Sequence, residues 1–212
     1  FASGNIGEGN NFAHHFYPDV VNMADFPSLQ LGGGRCVPGP YLMDAYEEND
    51  MRKDQSVGDR LPMLDGTFSD YTFGRKFVDY SASKTDDSGV NFTLLRYADV
   101  LLMYAESLNE VGQTNLAYEY INKVRTRAGL TALSGLSQDD FRLVMERERR
   151  VELALEGHRW FDLVRTGRAQ TVLNADYAER GLSFSVEEHE LLLPIPQGQL
   201  DINPDLGQNK GY

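Results

Sequence analysis

One apolar repeat constrains this chain more than any other feature of its sequence. Between Leu94 and Leu108, leucine and alanine side chains recur at intervals of three and four residues, as on one face of an α-helix. Tyr97, Val100 and Tyr104 widen this face to more than half of the helix circumference. We therefore expect a helix that is packed on two sides.

The segment that follows predicts a helical hairpin. Gly112 marks the end of the first helix, and a second helix is expected over 115–128, closed by Gly129. A turn glycine, small residues and apolar anchors follow the spacing of a tetratricopeptide repeat: Ala105, Gly112, Ala117, Ile121 and Val124. One such repeat cannot bury its own faces, so the sequence predicts a mainly α-helical fold of stacked hairpins, an α/α superhelix.

A second, less regular pair of helices is expected over 137–155 and from Gly157 through Leu163. Ser137, followed three residues later by Asp140, forms a capping box that begins the first of them. After Arg168 the helical periodicity fades. The prolines in 191–196 exclude a helix there and predict an extended strap across the helices.

The first 90 residues have a different composition, rich in glycine, proline and turn clusters. We expect a loop-rich region with little β-structure over 1–90 and a helical region with the strap over 91–212. Within the first region the sequence predicts one short helix and two short strands, at 40–49, 71–73 and 76–80.

Charge and cysteine content exclude several functions. With 20 Lys and Arg against 32 Asp and Glu, the net charge of −12 disfavours nucleic acids and anionic membranes as partners. Cys36 is the single cysteine, so an intrachain disulfide is excluded, and the four histidines lack metal-site spacing. We expect no metal and no cofactor. Because the chain begins at Phe1 without a signal segment, we interpret it as a fragment or a processed product.

Three sequence blocks together resemble one protein family. They read LRYADVLLMYAE at 95–106, leading into NKVRTRAG at 122–129, then ERRVELALEGHRWFDLVR at 148–165, and LPIP at 193–196. This combination resembles the C-terminal half of the SusD/RagB family, nutrient-binding lipoproteins of Bacteroidetes-type bacteria. The resemblance covers roughly the last 120 residues closely and implies a SusD-like, mainly helical fold with tetratricopeptide-like hairpins.

The resemblance also implies a function. Family members bind oligosaccharides or polysaccharides, or peptides in some cases, and deliver them to a SusC-like TonB-dependent transporter in the outer membrane. They are exposed at the cell surface on an N-terminal lipid anchor, which we expect to lie outside these 212 residues. We therefore expect a binding protein and not an enzyme, with no catalytic residues.

Candidate ligand-binding residues come from the loop-rich region, because binding residues concentrate on loops held by a rigid scaffold. Aromatic rings stack on the apolar C–H face of a sugar, and polar side chains bond its hydroxyl groups. The candidates for stacking are Phe16, Tyr17, Phe26 and Tyr41, and those for hydroxyl contacts are Asp25, Gln30 and Arg35. The alternative is that these rings anchor the loops. For Trp160, the sole tryptophan, we favour a contact in the core or between helices.

The densest group of charges lies in the helical region. Glu148, Glu152 and Glu156 share one helix stripe, a spacing that also suits an acid and base pair. Interleaved arginines hold such carboxylates ionised by lowering their pKa, which prevents them from acting as general acids. We therefore interpret the group as a structural ion-pair network: Arg96, Glu106, Glu148, Glu152, Glu156, Arg159 and Arg165.

Two other classes of function stay open. A helical-repeat module can bind a protein partner on its concave face. A glycoside hydrolase would need two carboxylates that flank a cleft.

Overall fold

The computed structural model describes residues 11–25, 32–82, 84, 87–203 and 205–212, so the candidates Phe26 and Gln30 lie outside the described residues. Within this part of the chain, eight α-helices and two small antiparallel strand pairs give a mainly helical fold. The chain forms two compact units, of which the first ends at Gly157 and the second runs from His158 to Tyr212. The change in sequence composition near residue 90 falls inside the first unit.

The predicted helical hairpin is present in the first unit. Helix α3 (Tyr97–Glu110) and helix α4 (Thr114–Arg127) are joined by a short turn in which Gly112 has a φ of +75°. Helix α5 (Gln138–Glu152) packs against both. Their shared apolar core consists of Ala98, Leu101, Leu102, Ala105, Leu108, Ala117, Ile121, Val124, Phe141 and Met145.

The start of α5 follows the sequence signal. The Ser137 hydroxyl accepts a hydrogen bond from the Asp140 backbone N–H at 3.1 Å and donates one to the Asp140 carboxylate at 2.7 Å. Such a cap satisfies an N–H group that the first helical turn leaves unpaired. The helix therefore begins where the capping box predicts.

Helix α3 differs from the prediction of two packed sides. Leu102 and Ala105 face α4 and α5 and are fully buried, whereas Tyr97, Val100 and Tyr104 are 72%, 46% and 49% exposed. Within the described residues, α4 and α5 cover one side of the helix, and nothing of comparable size covers the other. The wide apolar face is real, but half of it stays at the surface.

The loop-rich region contains two short helices, α1 (Pro40–Met43) and α2 (Arg52–Ser56). Strand β1 (Val57–Gly58) pairs with β4 (Phe73–Gly74), and β2 (Leu61–Pro62) pairs with β3 (Phe68–Ser69).

These elements correct three local predictions. The helix expected over 40–49 ends at Met43, and the strand expected over 71–73 is displaced to Phe73–Gly74. The strand expected over 76–80 is absent, because Asp79 turns the chain by accepting hydrogen bonds from the backbone N–H groups of Ser81 and Gly89.

Aromatic rings form the core of the loop-rich region. The Phe16 and Phe77 ring centroids lie 5.0 Å apart, and the Phe12 ring lies within about the same distance of both rings and of Phe92. Each buried ring of this size stabilises the fold by roughly 1.5–3 kcal/mol relative to an exposed one. This apolar cluster holds together loops that have little regular secondary structure.

The second unit contains α6 (Arg159–Arg165), α7 (Ala169–Glu179) and α8 (Gln197–Ile202). Helices α7 and α8 form after Arg168, where the helical periodicity of the sequence fades. Helix α7 presents no apolar stripe, so its sequence lacks the periodic signal of a helix. Local contacts support it instead: the Asn174 side chain is hydrogen-bonded to both the N–H and the carbonyl of Val186.

The proline-containing segment ends in extended backbone, as both prolines require. Residues near the C-terminus hold it in place. The Gln208 amide accepts from the Ile195 N–H at 2.8 Å and donates to the Ile195 carbonyl at 2.9 Å, and the Tyr212 hydroxyl donates to the Leu192 carbonyl at 2.9 Å. None of the described helices combines the length and apolarity that a membrane span requires.

Candidate functional site

A buried network of charges forms where α2, α4 and α5 meet. Glu148 and Glu152 lie one turn apart on α5, so their carboxylates leave the same face of the helix. Arg52 of α2 donates to Glu148 at 2.6 Å and to Glu152 at 3.0 Å. Arg125 of α4 donates to the second oxygen of Glu148 at 2.9 Å, so each oxygen of this buried carboxylate has a guanidinium partner.

Glu152 is the centre of the network. Its carboxylate accepts hydrogen bonds from Arg52, Arg96 and Arg127, and its side chain is 2% exposed. Burial acts to raise its pKa, but the bonds and charges of Arg96 and Arg127 outweigh burial and lower the pKa to about 2. The group is therefore an ionised acceptor and cannot serve as a proton donor near neutral pH.

The chain after α5 brings a third carboxylate into the network. Leu155 has a φ of +67°, a left-handed conformation that costs a non-glycine residue about 1–2 kcal/mol. The turn directs Glu156 towards Arg96, whose Nε donates to it at 2.8 Å. Lys76 also donates to Glu156 and closes the C-terminal end of α5 by donating to the carbonyls of Glu152 and Ala154, at 2.8 and 3.2 Å.

The arrangement is that of a structural network, because its carboxylates are held by several cations each. Of the residues that the sequence assigns to it, Arg96, Glu148, Glu152 and Glu156 lie together here. Glu106 lies half-buried on α3. Arg159 and Arg165 lie on α6 in the second unit, where Arg165 pairs with Asp162 at 2.8 Å.

Sequence reasoning identified Arg96 but missed the other partners of these carboxylates. Arg52, Lys76 and Arg125 join the network from positions that are 96, 80 and 23 residues from their glutamates. No local spacing rule connects such positions, although Arg125 and Arg127 stand inside one of the three blocks that carry the family resemblance.

A cleft of about 350 Å³ opens beside the network. Four cationic side chains and one carboxylate line it, together with two polar and two small or flexible apolar residues: Met51, Arg52, Gln55, Ser56, Lys76, Arg96, Arg127, Ala128 and Glu152.

The structure places two of the stacking candidates in the core. Phe16 is 4% exposed within the aromatic cluster, and Tyr17 is 0% exposed. The Tyr17 hydroxyl donates to the Asp79 carbonyl at 2.8 Å, and burial raises its pKa to about 12. The expectation that these rings stack on a sugar is corrected accordingly: both hold loops together, because neither has a face open to solvent.

The remaining candidates lie nearer the surface. Asp25 and Arg35 are exposed, and Tyr41 is half-buried on α1, with the Arg150 guanidinium 5.7 Å from its ring centroid. Asp25 lies within electrostatic range of an aromatic residue that the sequence did not single out, Tyr80. Tyr41 instead lies against α5.

Tyr80 is 55% exposed and follows the turn at Asp79. Partial burial raises the pKa of its hydroxyl; the nearby Arg75 opposes the rise and Asp25 adds to it. The ring is therefore an open aromatic surface with one charge of each sign within electrostatic range. Trp160, for which we favoured a contact in the core or between helices, is 37% exposed on α6.

Comparisons with known proteins agree with this architecture. The model of the SusD family matches residues 56–212. SusD-like protein P25 from Formosa agariphila is 34% identical over 190 residues, which are 85% of this chain and 36% of that protein. The chain therefore spans little more than a third of the length of this curated relative.

Two solved structures share the fold. Surface glycan-binding protein A from Bacteroides fluxus is 27% identical with a TM-score of 0.75, over 96% of this chain and 46% of that one. The protein of the same name from Bacteroides thetaiotaomicron, in complex with laminarihexaose, is 25% identical with a TM-score of 0.69. This match covers 91% of this chain and 46% of that one.

Helical hairpins of the tetratricopeptide type, joined to a loop-rich region with little β-structure, define the class of this protein. Within that class, the chain belongs to the SusD family.

Proposed function

We propose that this chain is part of a surface protein that binds an oligosaccharide without cleaving it. The observation that carries the proposal is family membership together with the shared fold of glycan-binding relatives, one of which is solved with laminarihexaose. A net charge of −12 suits a neutral ligand better than a polyanion.

The loop surface around Tyr80 is the part of this chain that best suits such a ligand. We define it by Asp25, Arg75 and Tyr80, and the exposed Arg35 remains a separate candidate for a hydroxyl contact. An exposed tyrosine ring covers the apolar C–H face of a pyranose, while adjacent carboxylate and guanidinium groups bond its hydroxyls. Tyr41, half-buried against α5, remains a candidate for a separate contact.

The charge network supports binding without catalysis. A glycoside hydrolase needs a carboxylic acid whose pKa is raised, beside a second carboxylate. The pKa of Glu152 is lowered instead, because guanidinium groups surround it. This carboxylate therefore suits a structural role and not that of a general acid.

Delivery of the ligand to a SusC-like TonB-dependent transporter, and lipid anchoring at the surface of the outer membrane, complete the proposal. Family resemblance supports both. Co-purification of the full-length protein with such a transporter from solubilised outer membranes tests them, and recovery of the protein in the periplasmic fraction would contradict them.

Isothermal titration with laminarihexaose and a panel of other neutral oligosaccharides tests the binding site. We expect at least one sugar to bind with a micromolar dissociation constant, near −8 kcal/mol. Replacing Tyr80 by Ala should weaken that binding about tenfold, because a stacked aromatic residue contributes more than about 1 kcal/mol.

The matched control is Tyr97→Ala, which removes a ring that is 72% exposed on α3, outside the loop surface. Its affinity should equal that of the unmodified chain. Equal losses in the two variants, or no loss in Tyr80→Ala, would show that the ligand binds elsewhere.

A second candidate function, a protein-interaction or peptide-binding module, is favoured by one observation. Tyr97, Val100, Met103 and Tyr104 leave one side of α3 apolar and exposed. If no sugar of the panel binds while a peptide does, and Tyr97→Ala weakens the peptide complex, this function replaces glycan binding.

A further inference from the structure

We infer that the cleft beside the charge network, hereafter the cationic cleft, is a second binding site that takes a small anionic group. The chemistry is that of a carboxylate or sulfate group, either free or carried by an acidic sugar. Three features of the cleft favour such a group: the exposure of its cations, the hydrogen-bond donors that remain available, and its volume.

Three of the four cations that line the cleft are more exposed than the carboxylates that they bind, whereas the fourth, Arg52, is 10% exposed. The side chains of Glu152 and Glu156 are 2% and 3% exposed, whereas those of Lys76, Arg96 and Arg127 are 22%, 25% and 57% exposed. The carboxylates therefore lie beneath and these three cations lie above them, towards the cleft. A group that enters the cleft meets positive charge first.

Arg127 has hydrogen-bonding capacity left for a ligand. Within the described part of the chain it makes one ion pair, from Nη2 to Glu152 at 2.6 Å. A guanidinium group offers five N–H donors in a planar fork that fits a carboxylate or sulfate in two-point contact. Gln55 and Ser56 add neutral polar groups to the wall of the cleft.

The volume and the apolar residues of the cleft suit a group carried on a sugar ring. About 350 Å³ lies at the lower end of the range for small-molecule sites. Met51, which is 58% exposed, offers apolar surface to ring C–H groups, next to the cations. A metal cation is disfavoured, because the lining carries four cationic side chains against the single carboxylate of Glu152, which is already paired.

The cationic cleft is distinct from the loop surface around Tyr80, and its lining residues come from α2, α4, α5 and the segments beside α3 and β4. The inference therefore does not depend on the proposed function. Loss of neutral-sugar binding in Tyr80→Ala tests the loop surface, and anion binding tests the cleft.

The experiment is an NMR titration of the 212-residue chain with sodium sulfate, sodium acetate, D-galacturonate and D-galactose, at constant ionic strength set by sodium chloride. We expect saturable shifts for sulfate and galacturonate at the arginine Nε–H and the backbone N–H signals of the cleft residues, and none for galactose. Galacturonate binding more tightly than acetate would show that the sugar ring contributes. Equal affinities would assign the site to the free anion.

Arg127→Gln should weaken anion binding about tenfold, as expected for the loss of one charge-assisted two-point contact. The matched control is Arg142→Gln, which removes the same charge from an exposed arginine that pairs with Glu110 and Asp139 outside the cleft. The control should bind with unchanged affinity.

Gln55→Glu provides an independent variant that leaves every ion pair of the network in place. It adds a carboxylate to the exposed wall of the cleft and should abolish binding. The inference is overturned if neither sulfate nor galacturonate gives saturable shifts, or if Arg127→Gln and Gln55→Glu bind as tightly as Arg142→Gln.

Discussion

Three arginines share the buried carboxylate of Glu152, so loss of its charge leaves several cations uncompensated. Glu152→Gln keeps the shape of the side chain but removes the charge that compensates Arg52 and Arg96. Removal of one partner from a buried ion pair costs about 3–5 kcal/mol. We expect a loss of this size in the free energy of unfolding, measured by urea denaturation near neutral pH.

Glu119→Gln is the control at the same scale. Glu119 pairs with Lys123 one turn further along α4, and its side chain is 60% exposed. An exposed pair of this kind contributes little to stability, so the variant should remain close to the unmodified chain. Similar losses in the two variants would mean that the buried network contributes no more than a surface pair.

Single residues also show what the sequence alone could not predict, namely which aromatic side chains are buried. Phe16 and Tyr17 are adjacent loop aromatics, and composition alone cannot say which face solvent. Their burial depends on contacts with Phe77 and with Asp79, the latter 62 residues further along the chain. Tyr80, only a few residues from Phe77, stays exposed because the turn at Asp79 reverses the chain.

At the scale of elements, the α3–α4 hairpin depends on the turn at Gly112. An added Cβ at Gly112 would meet no atom within 4 Å, so the cost of Gly112→Ala is the backbone strain at a φ of +75° alone. We expect a loss of about 1–2 kcal/mol in the free energy of unfolding.

The control is Gly198→Ala in α8, where an added Cβ also has open space and no left-handed conformation is required. This variant should be stabilised by about 0.4–1 kcal/mol, because alanine restricts the unfolded chain. Thermal unfolding followed by circular dichroism distinguishes the destabilisation expected for Gly112→Ala from the stabilisation expected for Gly198→Ala. A stabilised Gly112→Ala would show that the hairpin turn relaxes into another conformation.

A helix or strand could be predicted only where its sequence carries a strong periodic or capping pattern. The hairpin and α5 carry a helical period, turn glycines and a capping box, and all three helices form where these signals indicate. Helix α7 carries no apolar stripe and was missed. Strands of two residues, such as β1 and β4, are too short for an alternating pattern and form through long-range pairing.

At the scale of the whole molecule, the charge network joins elements that lie far apart in sequence. Arg52 and Glu152 are separated by 100 residues, and Arg96 and Glu156 by 60. The glutamates and Arg96 predict a network from the sequence, but the other cations that complete it follow only from the fold. The same holds for the cationic cleft, since its lining is drawn from five separate parts of the chain.

This network makes the stability of the chain depend on acid pH in a defined direction. The pKa of Glu152 is about 2 in the folded protein, against an ordinary value near 4.5, so the unfolded chain binds a proton more readily. Its stabilising contribution is complete above about pH 4.5 and is lost as the pH falls towards 2. The loss is on the order of 3 kcal/mol across this window.

Urea unfolding across the window from pH 4.5 to about 2 measures this dependence. Glu152→Gln should flatten it, because glutamine does not titrate, whereas Glu119→Gln should keep the slope of the unmodified chain. Ordinary carboxylates elsewhere contribute equally to all three proteins, so the comparison isolates Glu152. Parallel curves for Glu152→Gln and the unmodified chain would mean that the three guanidinium groups do not hold this carboxylate ionised.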